Sequence, residues 1–112
     1  MDDEARKEAA LRLFKEAYQH QMNKELAEAV ELYRKSIESY PTAEAHTFLG
    51  WTYSWMGRVD DAIAECKKAI EVDQTFGNPY NDIASYLIMK GEIDDAIPWL
   101  ERALQAPRYE SY

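Results

Sequence analysis

The sequence has little cysteine, glycine, proline or positive charge, and each shortage excludes a class of protein. A single cysteine, Cys66, cannot form an internal disulfide, which excludes a disulfide-stapled scaffold and favours a reducing compartment. Four glycines and four prolines in 112 residues form no linker, so we expect one domain over residues 1–112. The 13 basic residues are outnumbered by 21 acidic ones and form no stripe, which argues against a nucleic-acid partner.

Long hydrophobic runs are also missing. No apolar segment approaches the roughly 18 residues needed to cross a bilayer, so we expect no membrane partner. The first four residues, Met-Asp-Asp-Glu, lack the cationic and apolar regions of a signal peptide. These two absences lead us to expect a cytoplasmic protein. Hydrophobic residues still make up 46% of the chain, which is enough for a folded core.

The sequence does contain an internal repeat. Gly-Arg-Val-Asp-Asp-Ala-Ile at 57–63 recurs as Gly-Glu-Ile-Asp-Asp-Ala-Ile at 91–97, an offset of 34 residues. An earlier copy, Glu-Ala-Val at 28–30, matches Asp-Ala-Ile at 61–63 at an offset of 33. Three structural units are therefore expected.

Within each unit the apolar residues follow helical spacing, and no segment alternates like a strand. The pattern predicts helices at 4–22, 25–40, 43–57, 60–73, 78–90 and 94–106. Thr42 and Asn78 occupy expected N-cap positions, Pro41 is expected to end the second helix, and Pro98 is expected in the first turn of the last.

Paired helices with a 34-residue period resemble the tetratricopeptide repeat, with its pattern W-x2-L-G-x2-Y…A-x3-F…P. The resemblance covers about residues 10–106. The pattern positions hold His46, Leu49, Gly50, Tyr53, Ala62 and Cys66 in the second unit; Tyr80, Ile83, Ala84, Leu87, Ala96, Leu100 and Ala103 in the third; and Ala29, Tyr33 and Pro41 in the first. His46 and Cys66 depart from the pattern in ways that such repeats tolerate. The resemblance implies an all-α, right-handed solenoid of three antiparallel hairpins, with repeats at about 10–42, 43–76 and 77–110.

In this family the first helix of each hairpin lines a concave groove. Carried onto this chain, the groove positions are Leu11, Phe14, Tyr18, Gln21, Met22, Glu44, Thr47, Trp51, Ser54, Trp55, Asn78, Asn81, Ser85, Ile88 and Met89. The resemblance thus implies an interaction scaffold for a protein or peptide, with an apolar or basic segment as the expected ligand. Trp51 and Trp55 are the expected anchors and Asn78 and Asn81 the expected backbone contacts. Alternatively, the two tryptophans pack within the repeat or against a neighbouring helix.

One ligand class can be argued against. Chaperone-tail-binding members of the family hold a carboxylate with lysine, arginine and asparagine on these helices. The corresponding positions here are Phe14, Tyr18, Phe48, Asn78 and Asp82. A carboxylate clamp is therefore not expected.

The sequence offers no catalytic, metal or cofactor site. His20 and His46 lack histidine or cysteine partners at ligand spacing, and Cys66 is expected to be buried and inert. The aspartate pairs at 60–61 and 94–95 open the second helix of their hairpins, where acids cap amides and complement the helix dipole. We expect no enzyme.

The end of the repeat array suggests a second reading. Six residues follow Ala106, too few for the polar helix that usually closes such an array, so part of the last hairpin is expected to be exposed. The residues concerned are Trp99, Leu100, Ala103, Leu104 and Tyr109. The chain is then expected either to self-associate, for example as a homodimer, or to be a regulatory part of a longer protein.

Overall fold

The computed structural model describes residues 2–111, which form six helices and no other regular element. They are α1 (Asp3–Met22), α2 (Leu26–Ser39), α3 (Ala43–Trp55), α4 (Val59–Val72), α5 (Asn78–Met89) and α6 (Ile93–Gln105). All six predicted helices are confirmed, and each end lies within two residues of its predicted position. The helical spacing of the apolar residues, together with the 34-residue repeat, explains this agreement.

The helices pack as three sequential antiparallel hairpins, α1–α2, α3–α4 and α5–α6. Adjacent hairpins meet through α2 with α3 and α4 with α5, while α1, α3 and α5 lie side by side. Buried alanines such as Ala17, Ala62 and Ala84 let the helices approach, and larger residues such as Tyr33 and Ile83 fill the space between them. This is the all-α arrangement that the repeat implied.

The turns inside the hairpins share a left-handed residue. Gly57 and Gly91, each two residues beyond the end of α3 or α5, have φ values of +78° and +82°, a conformation that glycine adopts without steric cost. Lys24, with φ 64°, occupies the matching position after α1. The repetition of this turn explains why glycine recurs at an offset of 34 residues.

The helix ends confirm part of the prediction. The Thr42 hydroxyl accepts from the Ala45 N–H (3.0 Å), and Tyr40, before Pro41, is already extended, so these two assignments are right. The aspartate pairs lie in the first turns of α4 and α6 as expected, but neither helix has a side-chain cap. Asp60 instead contacts Lys90 (2.7 Å) and Asp61 contacts Arg58 (2.8 Å).

Two predictions about helix starts are wrong. Asn78 is the first residue of α5 rather than its N-cap, because its side chain is used elsewhere. Pro98 is the sixth residue of α6, so it lies in the second turn, where it removes the N–H that would reach the Asp94 carbonyl. Within residues 2–111, no helix is both long and apolar enough to cross a membrane.

Candidate functional site

A row of aromatic side chains connects the inner helices α1 and α3. Phe14 meets Phe48 with ring centroids 4.9 Å apart, Phe48 meets Trp51 at 5.6 Å, and Trp51 meets Trp55 at 5.0 Å. Tyr18 also lies against Phe48 (5.8 Å). This row gives the inner face an apolar floor and holds its rings in fixed edge-to-face geometries.

The two tryptophans are half-buried, as the packing alternative predicts in part, and their role as ligand anchors stays a prediction. Trp51 packs against the hydrophobic core, and the Lys24 ammonium lies 4.0 Å from the ring centroid of Trp55. A cation at that distance from an indole face is an attractive contact. Each tryptophan nevertheless keeps part of its surface exposed, and Trp51 lines a cleft of the inner face.

Asp82 projects from α5 into the same region. It shares an open cleft of about 610 Å³ with Tyr18, Met22 and Trp51. No cation lies within 4 Å of its carboxylate among residues 2–111. Burial raises the pKa of Asp82 to about 7, because the charged form loses hydration without gaining a partner.

The chain itself supplies a further component of the site. Residues 106–111, which we term the return segment, leave α6 and run back along the start of α5. The Gly77 N–H donates to the Arg108 carbonyl (2.6 Å), and the Arg108 N–H donates to the Thr75 carbonyl (3.1 Å). A Cβ on Gly77 would lie 3.2 Å from Ala106, Arg108 and Tyr109 atoms, so glycine permits this approach.

Asn78 continues this contact with its side chain. Its Nδ2 donates to the Glu110 carbonyl (2.6 Å), and its Oδ1 accepts from the Glu110 N–H (2.9 Å). A primary amide that satisfies both backbone groups of one residue recognises extended main chain whatever the side chain. Asn78 was predicted to hold a ligand backbone, and in the structure it holds the backbone of its own chain.

Arg108 anchors the return segment through three groups, which we term the arginine socket. Its guanidinium contacts Glu44 (3.1 Å) on α3 and Asp73 (2.7 Å) after α4, and its Cζ lies 4.4 Å from the ring centroid of Phe76. Hydrogen bonds from Thr75 and then Arg108 lower the pKa of Asp73 to about 2. Asp73, Phe76 and Arg108 carried no sequence signal, since their contacts join residues more than 30 positions apart.

The return segment divides the inner face into two clefts, because Glu110 borders both. One is the cleft at Asp82, where Tyr109 and Ser111 complete the wall. The other, of about 440 Å³, lies between the first two hairpins and includes Leu11, Phe14 and Phe48. Predicted groove residues on α1 and α3 therefore line both clefts.

Three predicted groove residues do not face the groove. Thr47 is buried and donates its hydroxyl hydrogen to the Ala43 carbonyl (2.7 Å). Gln21 is buried and accepts from the Tyr33 hydroxyl (2.7 Å). Asn78 is buried beneath the return segment. Internal hydrogen bonds occupy these polar groups, which repeat position alone could not indicate.

The remaining predicted residues on α5 lie at the protein surface, outside the two clefts described above. Asn81 lines a shallow cleft with Leu100, Ala103, Leu104 and Tyr109. Ser85 is exposed and donates to the Asn81 carbonyl (3.2 Å), and Ile88 and Met89 are also exposed.

Helix α6 carries a second apolar surface. Ile93, Ile97, Leu100 and Leu104, which we term the α6 stripe, are all exposed, Leu104 by 88%. Their 4-3-4 spacing places them on one helix face. The predicted Trp99 and Ala103 are instead half-buried, with Trp99 against Tyr80 (6.3 Å). Ile93 and Ile97 were missed, although their spacing from Leu100 could have revealed them.

Each histidine lies next to a glutamate, and the cysteine is buried in the core. His46 Nδ1 lies 2.8 Å from Glu65 in a buried pair, and His20 Nδ1 lies 3.3 Å from Glu25. Cys66 is fully buried, and burial raises the pKa of its thiol, which keeps it protonated and unreactive as expected.

Comparisons with known proteins agree with this architecture. A family model described as tetratricopeptide repeat matches residues 43–76. Small glutamine-rich tetratricopeptide repeat-containing protein 2 of Mycosarcoma maydis is 26% identical over 83 residues, which is 73% of this chain and 24% of that protein. The chain therefore spans about a quarter of that curated relative.

Solved structures show the same fold. A crystal structure of MamA is 26% identical, with a TM-score of 0.83 over 88% of this chain and 58% of that one. The first TPR of Spaghetti (RPAP3), bound to the HSP90 peptide SRMEEVD, is 18% identical, with a TM-score of 0.85 over 89% of this chain and 82% of that one. With six helices in three hairpins and a repeat at residues 43–76 that matches the family model, the chain has the tetratricopeptide repeat fold.

Proposed function

We propose that this chain is a non-catalytic scaffold whose concave face binds an extended segment of another protein. One observation carries this proposal: two clefts on the inner face are lined by aromatic residues, and one of them contains Asp82, a carboxylate that meets no cation among residues 2–111. Aromatic rings bury large areas at low entropic cost, and a half-buried carboxylate is stabilised by an incoming cation. The favoured ligand is a segment with apolar residues and a basic one.

The family supports this proposal in outline. Tetratricopeptide repeats are typically binding modules without catalytic activity. The Spaghetti domain was solved with an acidic peptide, SRMEEVD. The groove of this chain presents Asp82 and Glu44, and the whole chain has a net charge of −8. Repulsion between like charges should exclude that acidic peptide.

A displayed library of random peptides, panned against the full chain, provides the test. We expect the enriched peptides to carry a basic residue and to bind at least about tenfold more weakly after Trp51→Ala or Asp82→Lys, the scale of one lost anchor or charge pair. Asp94→Lys is the matched control, because it makes the same charge change on exposed α6. Peptides whose affinity is unchanged by both groove substitutions would contradict the proposal, as would tight binding of SRMEEVD.

The α6 stripe supports a second candidate, self-association through a second copy of the chain. Apolar residues at 4-3-4 spacing match the seam by which two like helices pair, and a large exposed apolar face favours association. Sedimentation over a hundredfold concentration range should show a mass rising above 13.0 kDa. Ile97→Glu should hold the mass constant, whereas Val72→Glu, the same change at an exposed site on α4, should not. A constant mass for the unaltered chain would exclude this candidate.

The chain also fits a third candidate, a regulatory repeat domain of a longer protein. It spans about a quarter of the curated relative and 58% of the MamA chain. In such a protein the α6 stripe would be covered by the next hairpin rather than by a second copy. The length of the native reading frame distinguishes these alternatives.

A further inference from the structure

We propose that the return segment is the resident ligand of the concave groove, and that partners must carry the same chemistry to displace it: an arginine for the socket, followed by an extended backbone that Asn78 can hold. This inference rests on the proposed peptide-binding function and specifies the partner. The structure identifies this occupant, since the segment already lies in the groove.

The contacts of the return segment are those expected of a bound peptide. Two main-chain hydrogen bonds join it to Thr75 and Gly77, in a parallel bridge between Phe76 and Arg108. Asn78 adds two more through its side chain. A short strand added to an existing backbone edge, with one side-chain amide as clamp, binds extended main chain by its peptide groups.

The arginine socket supplies the side-chain specificity. Glu44 and Asp73 each contact one nitrogen of the guanidinium, while the face of Phe76 lies beneath its carbon. The planar guanidinium fits two carboxylates and a ring at once, and a lysine ammonium cannot copy that geometry. A competing segment therefore needs arginine, with Asn78 holding the residue two positions later, as it holds Glu110 after Arg108.

Tethering makes the return segment a strong competitor. A segment linked to its site by a few residues acts at an effective concentration in the millimolar range. The groove of the unaltered chain should then bind free peptides weakly until the segment is released.

The test uses a fluorescein-labelled peptide with the sequence of residues 105–112, titrated with the full chain and followed by anisotropy. Arg108→Glu places a negative charge between Glu44 and Asp73, which should expel the return segment and leave the groove intact. We expect this variant to bind the peptide at least tenfold more tightly than the unaltered chain. Arg12→Glu, the same charge change on exposed α1, should behave like the unaltered chain.

Two further measurements locate the binding. Adding Asn78→Ala to Arg108→Glu should abolish the tighter binding of the labelled peptide, because the two hydrogen bonds from the Asn78 side chain to the peptide backbone are lost. A peptide in which the arginine is replaced by lysine should bind the Arg108→Glu chain at least fivefold more weakly than the original. An Arg108→Glu chain that stays helical but binds the peptide no better than the unaltered chain overturns the inference.

Amide hydrogen exchange tests the unaltered chain without any substitution. The N–H groups of Gly77, Arg108 and Glu110 each have an acceptor in the structure and should exchange at least tenfold more slowly than those of an unstructured chain. Exchange of all three at the unstructured rate would overturn the inference. If the labelled-peptide and exchange tests fail while library peptides still require Trp51 and Asp82, the proposed function stands. If only the library test fails, the return segment holds the hairpins together but the groove binds no other protein.

Discussion

At the scale of single residues, Asp82 is a carboxylate that the fold holds at a cost. Its pKa of about 7 means that the folded chain retains a proton which the unfolded chain releases near pH 4. The stability of the fold should therefore decrease as the pH rises from about 4 to about 7, since the unfolded state gains most from ionisation. A basic ligand residue next to Asp82 would offset this cost.

Asp82→Asn removes the titrating group and tests this argument. At pH 8 we expect the free energy of unfolding to increase by about 1 kcal/mol, less than the full shift implies because the cleft is open to water. At pH 4 the gain should disappear, because Asp82 is then protonated in the folded chain. Urea denaturation at both pH values measures the free energy of unfolding, and the exposed Asp95→Asn is the control. An Asp82→Asn chain that is no more stable than the unaltered chain at pH 8 would show that the carboxylate is well solvated.

At the scale of helices, the sequence was a good guide wherever the signal was local. The 3.6-residue periodicity located all six helices, and Thr42 acted as the predicted cap. At Asn78 a tertiary contact, the pair of hydrogen bonds to Glu110, prevailed over the N-cap preference, whereas Pro98 lies in the second turn because α6 begins at Ile93. Helix ends are set by such competition and helix centres are not.

Pro98 lies in a helix that stays regular despite it. Pro98→Ala should restore a hydrogen bond to the Asp94 carbonyl and increase the free energy of unfolding by about 1–2 kcal/mol, less than the roughly 3 kcal/mol of a central proline. The proline ring is exposed, so little packing is lost. Urea denaturation measures the change. The control is Pro41→Ala outside the helices, which should be neutral or slightly destabilising; the same result for both substitutions would refute the argument.

At the scale of the whole molecule, the stack of hairpins could be predicted because each contacts only its neighbours. The candidate site could be predicted only in part. Repeat position indicated the aromatic residues Phe14, Tyr18 and Trp51, whereas the return segment depends on contacts between residues more than 30 positions apart. No periodicity encodes such contacts, so the occupant of the groove became visible only in the folded chain.

The return segment also ties the second and third hairpins together, because Arg108 contacts Glu44 on α3 and Asp73 after α4. Arg108→Gln should therefore reduce the free energy of unfolding of the whole chain at pH 7 by about 1 kcal/mol, a modest value since these ion pairs are half-exposed. Arg12→Gln is the control and should leave the free energy unchanged.

The pH dependence of the stability difference between the unaltered chain and Arg108→Gln shows which contact of Arg108 causes it. The lowered pKa of Asp73, about 2, means that its stabilising effect is complete above about pH 4 and is lost as the pH falls towards 2. The difference between the unaltered chain and Arg108→Gln, measured by urea denaturation from pH 7 to pH 2, should narrow over that interval. A difference that stays constant down to pH 2 would mean that Arg108 stabilises the stack by packing on Phe76 and not through its carboxylate partners.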